Sequence, residues 1–318
     1  MAHFPITIDF RKISGHSQIV DALSKAFDAV ANDTVHFTIN LNTYSMLYSD
    51  HLVLIGSTVN HLRSIGVTVT GNFQDFRSTS GQVKYASRIS FFEQIGFAYD
   101  EGYVRQNASG RFTEIKRFDD DNALDIHKEI VSILLKDAIN DDMMTVLEYC
   151  LWEVIDNTIR HSLSDGTVYN GNGYISCQYF PNKKQIRIIV ADNGQGIHKA
   201  LTTHPNSKYK LLNESEALDQ SVNKGVTNST GMGFGLWATA TLIKENGGKL
   251  IIHSGNNSLE IDNNKNVINT SKWQGVYTYI RVNTDVSVTY DKIFDDDVQR
   301  NAFEELKEDL LGNLDELW

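Results

Sequence analysis

Along the first hundred residues the apolar positions repeatedly switch period. Ile6-Thr7-Ile8-Asp9-Phe10 alternates with period two and reads as a strand. Ser17–Val30 then places Ile19, Val20, Leu23, Ala26, Phe27 and Val30 at helical spacing, with Ser17 as the expected N-cap. Val35–Leu41 is strand-like again. His51–Ile65 carries Leu52, Ile55, Val59 and Leu62 on one helical face. Val67–Thr70 reads as a third strand, opened by Gly66 and closed by Gly71, and Ile89–Ile95 as a helix ended by Gly96. Strand–helix–strand order demands crossover connections, and so an at least partly parallel sheet.

Residues 101–122 read as a linker, with a turn-forming run at Gln106–Gly110 and an acidic run at Asp119–Asp121 ahead of the next helix. Ala123–Ile139 and Asp141–His161 are the next two predicted helices. Tyr290–Trp318 is acidic, with Phe303, Leu306, Leu310 and Leu314 at helical spacing, and reads as a helical tail docked on its own domain. The expected architecture is α/β in two domains, 1–100 and 123–288. The second is an α+β two-layer sandwich, a mixed sheet covered by helices on one face.

The 318 residues suffice for about two domains with real cores. A 41% hydrophobic, 22% charged composition excludes a disordered or fibrous chain. The net charge of −11 argues against a general nucleic-acid coat. Cys150 and Cys177 form no metal or redox motif and read as buried, reduced thiols. The N-terminus lacks a basic stretch followed by an apolar core, and no run is long enough to span a bilayer, so the expected location is the cytoplasm.

Three segments carry chemistry. On the helix through 147–161, Leu147, Leu151, Val154 and Thr158 form the inward stripe. Glu153, Asn157, Arg160 and His161 share a neighbouring face. A carboxylate there can polarise water, an amide oxygen can join a Mg²⁺ shell, and Arg160 can reach a phosphate. Alone, such a pair of polar residues is common on solvated helices. Next, the strand Ile188–Ala191 runs into Asp192-Asn193-Gly194-Gln195-Gly196, where a fixed carboxylate can accept from an exocyclic amine and glycines admit a flat ligand. Last, Ser229-Thr230-Gly231-Met232-Gly233-Phe234-Gly235 opens an amphipathic helix whose N-terminal N–H groups suit phosphate.

The order Glu153-x-x-x-Asn157, Asp192-x-Gly194-x-Gly196, Gly231-x-Gly233-x-Gly235 resembles the GHKL superfamily of gyrase, heat-shock chaperone, histidine-kinase and mismatch-repair ATP-binding domains, over about residues 120–285. The resemblance implies ATP and Mg²⁺ as ligands. It makes Glu153 the catalytic base and Asn157 the Mg²⁺ ligand. Asp192 becomes the adenine contact, shaped by Gly194 and Gly196. Gly231, Gly233 and Gly235 become the phosphate cradle, and Arg160 stands at a position often basic in the kinase members. Residues 198–230 would form an ATP lid, in which Lys208, Lys210 and Lys224 are candidate phosphate contacts but read better as solvated side chains. Many members place a Gly-Thr pair on the last strand. Here Val276 stands at the threonine's place, and Thr278 shares its face.

The N-terminal order resembles, over residues 5–100, the STAS fold of anti-sigma-factor antagonists. Ser49 falls where that family carries a phosphorylated serine, with Tyr48 and His51 in place of the flanking acidic residue and glycine. Read from the residues alone, Ser49 is a helix cap. His127 is the candidate for a phosphoacceptor histidine, but no proline follows it and it reads as a solvated helix histidine. The 153–161 run is most similar to the anti-sigma serine-kinase and histidine-kinase branches. Two functions are expected: a regulatory ATPase or protein kinase, or a non-catalytic ATP-gated switch. Either expects a protein partner, with a homodimer as one form, and neither expects nucleic acid or membrane.

Overall fold

The computed structural model describes residues 1–105, 111–132, 139–162, 172–228, 233–294 and 301. Strands β1 (His3–Asp9), β2 (Thr34–Asn40) and β3 (Thr68–Phe73) form a parallel sheet in the order β1-β2-β3. Its inner positions, Ile6, Ile8, Val35, Phe37 and Ile39, are buried under helices α1 (His16–Leu23) and α2 (Ser49–Ser64). Helix α1 stops early and continues as a 3₁₀ turn, Ser24–Asp28. The residue at its N-cap is Gly15, not Ser17, and Gly15 makes no side-chain cap. Gly71 does not close β3. It lies opposite Phe37 within the ladder, where an added Cβ would meet the Phe37 carbonyl at 2.7 Å, so the glycine permits close pairing. Helix α3 (Gly81–Arg88), capped by Ser80 and missed by periodicity, and the short α4 (Phe91–Gln94) complete this lobe.

The second sheet comprises β4 (Lys116–Phe118), β5 (Gly173–Phe180), β6 (Gln185–Ala191), β7 (Lys249–Ile261) and β8 (Lys265–Asn283), in the order β4-β5-β6-β8-β7. Every neighbouring pair is antiparallel, not mixed as expected. The reason is local: β5 and β6 are joined by the turn Pro181–Lys183, and β7 and β8 by residues 262–264, connections too short for a parallel crossover. Residues 111–118, within the segment read as a linker, supply edge strand β4 and pair with β5.

Helices α5 (Ala123–Ile130), α6 (Asp141–Ser162), α9 (Gly235–Asn246) and the short α10 (Tyr290–Ile293) cover the front of this sheet. Helices α7 (Gly196–Thr202) and α8 (Glu214–Gln220) lie between β6 and α9 in the chain. The back of the sheet is also covered, by α1 and α2. Strand β8 shows why: Thr278, Ile280 and Val282 face forward, while Trp273, Tyr277 and Tyr279 face back into the same core as the N-terminal helices. Helix α2 accepts this position because Ser49 to Val59 are all buried, as expected for a helix apolar on most sides. Four layers therefore stack: sheet, helices, sheet, helices.

Polar contacts stitch the middle layer. Arg187 on β6 donates from Nε and a terminal nitrogen to Asp50 Oδ2 at 2.8 and 2.5 Å, and its guanidinium lies 3.7 Å from the centre of the Tyr48 ring. Ser176 donates to Ser49 Oγ at 2.6 Å, so Ser49 is buried at the seam and caps nothing. Ser57 donates to Asn193 at 2.6 Å. His127 is likewise buried, not solvated, with Nε2 3.0 Å from the Glu148 carbonyl. Both cysteines are buried and free. Among the described residues no helix is long and apolar enough to cross a membrane. Phe303, Leu306, Leu310 and Leu314 lie outside the described residues.

Trp273 is 1% exposed and meets Phe27 edge-on at 5.3 Å across the seam. Trp273→Ala is expected to lower the unfolding free energy by about 3–5 kcal/mol in urea titrations, the usual loss for a large core aromatic. A loss below about 1 kcal/mol contradicts tight packing of the N-terminal helices on this sheet.

Candidate functional site

Helix α6 fixes one wall of the site. Leu147, Leu151, Val154 and Thr158 anchor it to the sheet, all buried as the stripe predicts. That anchorage turns Glu153, Asn157, Arg160 and His161 toward a single cavity of about 420 Å³. Asp192 and Gly196 line it from the end of β6, Gly233 and Gly235 from the start of α9, and Thr278 from β8. Val276, and with it Trp152, Ile197 and Phe234, which the motif reading did not single out, add apolar surface. A cavity mostly apolar with a few converging polar groups has the character of a small-molecule site.

Asp192 is the most constrained residue in it. Its Oδ1 accepts from the main-chain N–H of Gly194 at 2.8 Å and of Val276 at 3.3 Å. Its main chain is held as well: the N–H donates to the Val276 carbonyl at 2.8 Å, and the Trp273 indole donates to its carbonyl at 3.1 Å. Burial pushes the carboxyl up to about 7, against the pull of the two N–H donors. The enabling residue is Gly275. At φ +89°, a Cβ there would stand 2.5 Å from Asp192 Oδ1, from the Asp192 carbonyl and from Gly194 N. The sequence signal was a glycine inside an otherwise bulky strand, which marks close backbone approach. Val276 contributes its main chain where the resemblance led us to look for a threonine side chain.

Gly194 is buried and shapes the loop without lining the cavity; Gln274 donates to its carbonyl at 2.7 Å. Gly196 takes φ +80° and begins α7. Ser254 Oγ accepts from the next N–H, that of Ile197, at 2.9 Å.

Glu153 faces the N-terminus of α9. An added Cβ at Gly235 would lie 2.2 Å from Glu153 Oε2, so only glycine lets the helix start this close to the carboxylate. Burial raises the Glu153 carboxyl and a hydrogen bond with Tyr149 opposes the rise. Among the described residues no side chain caps helix α9, and uncapped N–H groups at a helix start suit an anion. Gly233 takes φ +71° and abuts the Val226 carbonyl. Gly231 lies outside the described residues.

Arg160 reaches the cavity, yet its Nε pairs with Asp156 at 2.6 Å one turn earlier on the same helix. The pair occupies one of the three guanidinium nitrogens and leaves the terminal ones to meet a phosphate. His161 is kept neutral by burial. Lys208, Lys210 and Lys224 do not line the cavity; Lys208 and Lys224 lie 5.2 Å from the rings of Tyr209 and Trp237, and Lys210 donates to the Pro205 carbonyl. The segment expected as a lid holds α7 and α8. Asn213 and Glu216 form a reciprocal cap on α8, and Lys265 from β8 pairs with Asp219 at 2.8 Å.

Residues 144–284 match the family model described as histidine kinase-, DNA gyrase B-, and HSP90-like ATPase. The matched span contains α6 from residue 144 on, the Asp192 loop, the start of α9 and the Gly275 turn, which together build the cavity. The match supports the GHKL superfamily for this part of the chain and ATP as the ligand of the domain. No curated protein matches the chain.

Gly275→Ala is expected to destabilise the fold by about 2 kcal/mol or more, through a left-handed backbone and contact with Asp192. Thermal unfolding followed by circular dichroism measures it. A wild-type melting temperature in the variant contradicts the close approach.

Proposed function

We propose that the protein binds Mg²⁺-ATP in this cavity and acts as a regulatory ATPase or protein kinase of the anti-sigma serine-kinase-like type. One observation carries the reading. A buried carboxylate, Asp192, and a carboxylate facing a helix start, Glu153, line one and the same cavity; among the described residues the first has main-chain donors only and the helix has no side-chain cap. The first suits an adenine amine and the second suits the attack on a terminal phosphate.

The steps follow from these groups. The apolar walls from Ile197, Val276 and Phe234 exclude water around the base, and Asp192 accepts from its exocyclic amine. The N–H groups opening α9, freed by Gly233 and Gly235, receive phosphate oxygens. Asn157 offers an amide oxygen one turn from Glu153, and such hard oxygen donors fit Mg²⁺ together with phosphate oxygens. The ion, when bound, neutralises charge on the phosphates. Glu153 then accepts the proton of the attacking water or of a partner's hydroxyl. The Glu153–His161 run and the α/β N-terminal lobe favour the serine-kinase-like branch, with a protein partner or a second copy of the chain as recipient.

A second reading rests on the Ser57–Asn193 hydrogen bond at 2.6 Å. It joins the Asp192–Gly196 loop to α2, so nucleotide occupancy is felt in the N-terminal lobe. In that case the chain is an ATP-gated switch that binds its partner without turnover.

Incubation with γ-labelled ATP and Mg²⁺ separates the two. The enzyme reading predicts released phosphate or labelled protein, and a loss of about 10²–10⁴-fold in Glu153→Ala with ATP affinity kept. Turnover unchanged in that variant contradicts the role of Glu153.

Affinity should also depend on pH. With its pKa raised to about 7, Asp192 is part-protonated in the free protein at neutral pH, whereas the adenine amine needs the carboxylate. ATP binding therefore weakens as pH falls through that value, by about tenfold between pH 8 and pH 6. Calorimetric titrations at constant Mg²⁺ measure this, and a flat profile contradicts it.

A further inference from the structure

Three side chains of the N-terminal lobe meet between the two sheets without bonding. His16 opens α1, and Asp50 and His51 lie in the first turn of α2; they are 7%, 2% and 5% exposed. His16 Nε2 stands 3.8 Å from Asp50 Oδ2, and His51 Nε2 stands 3.7 Å from Asp50 Oδ1. Both separations exceed hydrogen-bond reach, and neither Nε2 has a hydrogen-bond partner. One ligating atom from each of the three residues lies within 4.8 Å of the other two.

The surroundings hold these groups in place. The His16 ring sits 4.4 Å from Tyr279 and meets His51 edge-on at 5.0 Å. Asp50 Oδ1 accepts from the His51 main-chain N–H at 2.8 Å, and Arg187 grips Oδ2. Buried side-chain nitrogens in native proteins nearly always have partners. Two orphan imidazole nitrogens beside one carboxylate are the arrangement that a single cation with three protein ligands satisfies.

We propose that His16, Asp50 and His51 form a divalent metal site of the zinc class, which ties α1 to the start of α2 beneath the second sheet. Such an ion bonds imidazole nitrogen and carboxylate oxygen at about 2.0–2.2 Å, so its ligands lie roughly 3–3.6 Å from one another. In the protein each Nε2 lies 3.7–3.8 Å from a different Asp50 oxygen, and the three ligating atoms lie within 4.8 Å of one another, so binding requires side-chain rotations that draw them in by up to about 1 Å. Two imidazoles with one carboxylate suit Zn²⁺ among common ions. Burial favours the neutral imidazoles that ligation needs, pushing His16 down to about 3 and His51 in the same direction. Arg187 orients the carboxylate as an outer partner. Its charge also opposes a dication, so the affinity is set below that of a closed four-ligand site. The proposal is independent of the nucleotide reading, since none of its ligands lines that cavity.

The full-length protein, free of any affinity tag, is refolded from urea with Zn²⁺, cleared of excess metal and assayed for zinc by mass spectrometry. His16→Gln/His51→Gln is treated alongside. The expected result is about one more zinc per chain in the wild type than in the double variant, as for one three-ligand site. Binding at the exposed His3–His36 pair is common to both proteins and cancels. Equal zinc in the two, or none in the wild type, overturns the proposal. If the variant does not fold, Co²⁺ loading of His3→Gln, which lacks the His3–His36 pair, decides. Visible d–d absorption from nitrogen and oxygen ligands that Zn²⁺ displaces at one equivalent supports the site, and its absence overturns it.

Discussion

A buried carboxylate held, among the described residues, by main-chain donors alone is the constraint on which the site depends. Asp192 follows β6 at a point where β8 must come close enough for the Val276 N–H to reach the oxygen that also accepts from Gly194 in the same loop. That approach leaves no room for a side chain at residue 275. The site is therefore written into the β6–β8 seam, and every other wall of the cavity is placed relative to it. Helix α6 brings Glu153 and Asn157 to one side, and α9 starts against Glu153 because residue 235 is also a glycine. Burial of Asp192 raises the energy of its charged form, and a donor supplied by a ligand recovers that energy.

The same sheet faces two ways. Its front supports the cavity, and its back forms the floor for α1 and α2. A five-stranded antiparallel sheet left bare on one side would expose Trp273, Tyr277 and Tyr279. Covering that face fuses the lobes into one stack and buries Ser49, Asp50 and His51 at the seam. The Ser57–Asn193 bond then runs from the covered face to the loop that carries Asp192. The loop that carries Asp192 and the N-terminal lobe thus share a direct hydrogen bond.

Much of this was legible in the chain. The Glu153–Asn157 face followed from helical spacing, and Asp192 from a buried-type strand running into glycines. Thr278 lines the cavity because it sits two residues from Val276, on the same face of β8. What escaped the reading has physical reasons. The alternation of aromatic residues on β8 was visible, but which layer covers them is a tertiary matter. Helix α2 was assigned a single apolar face, although Leu52-Val53-Leu54-Ile55 leaves hardly any polar side. Spacing placed Arg160 on the cavity wall but did not show that its Nε also pairs with Asp156, one turn back. His127 was read as solvated because no pattern in a short helix reveals what covers a single histidine.

The most direct measurement compares the affinities of ATP and inosine triphosphate by calorimetry at equal Mg²⁺. The two ligands differ by an amine against a carbonyl oxygen at the position assigned to Asp192. If that carboxylate reads the base, ATP binds more tightly by about tenfold at pH 8, because the inosine carbonyl is met only after a carboxyl with a pKa of about 7 has taken up a proton. Equal affinities contradict the account, since the base would then lie elsewhere than against Asp192.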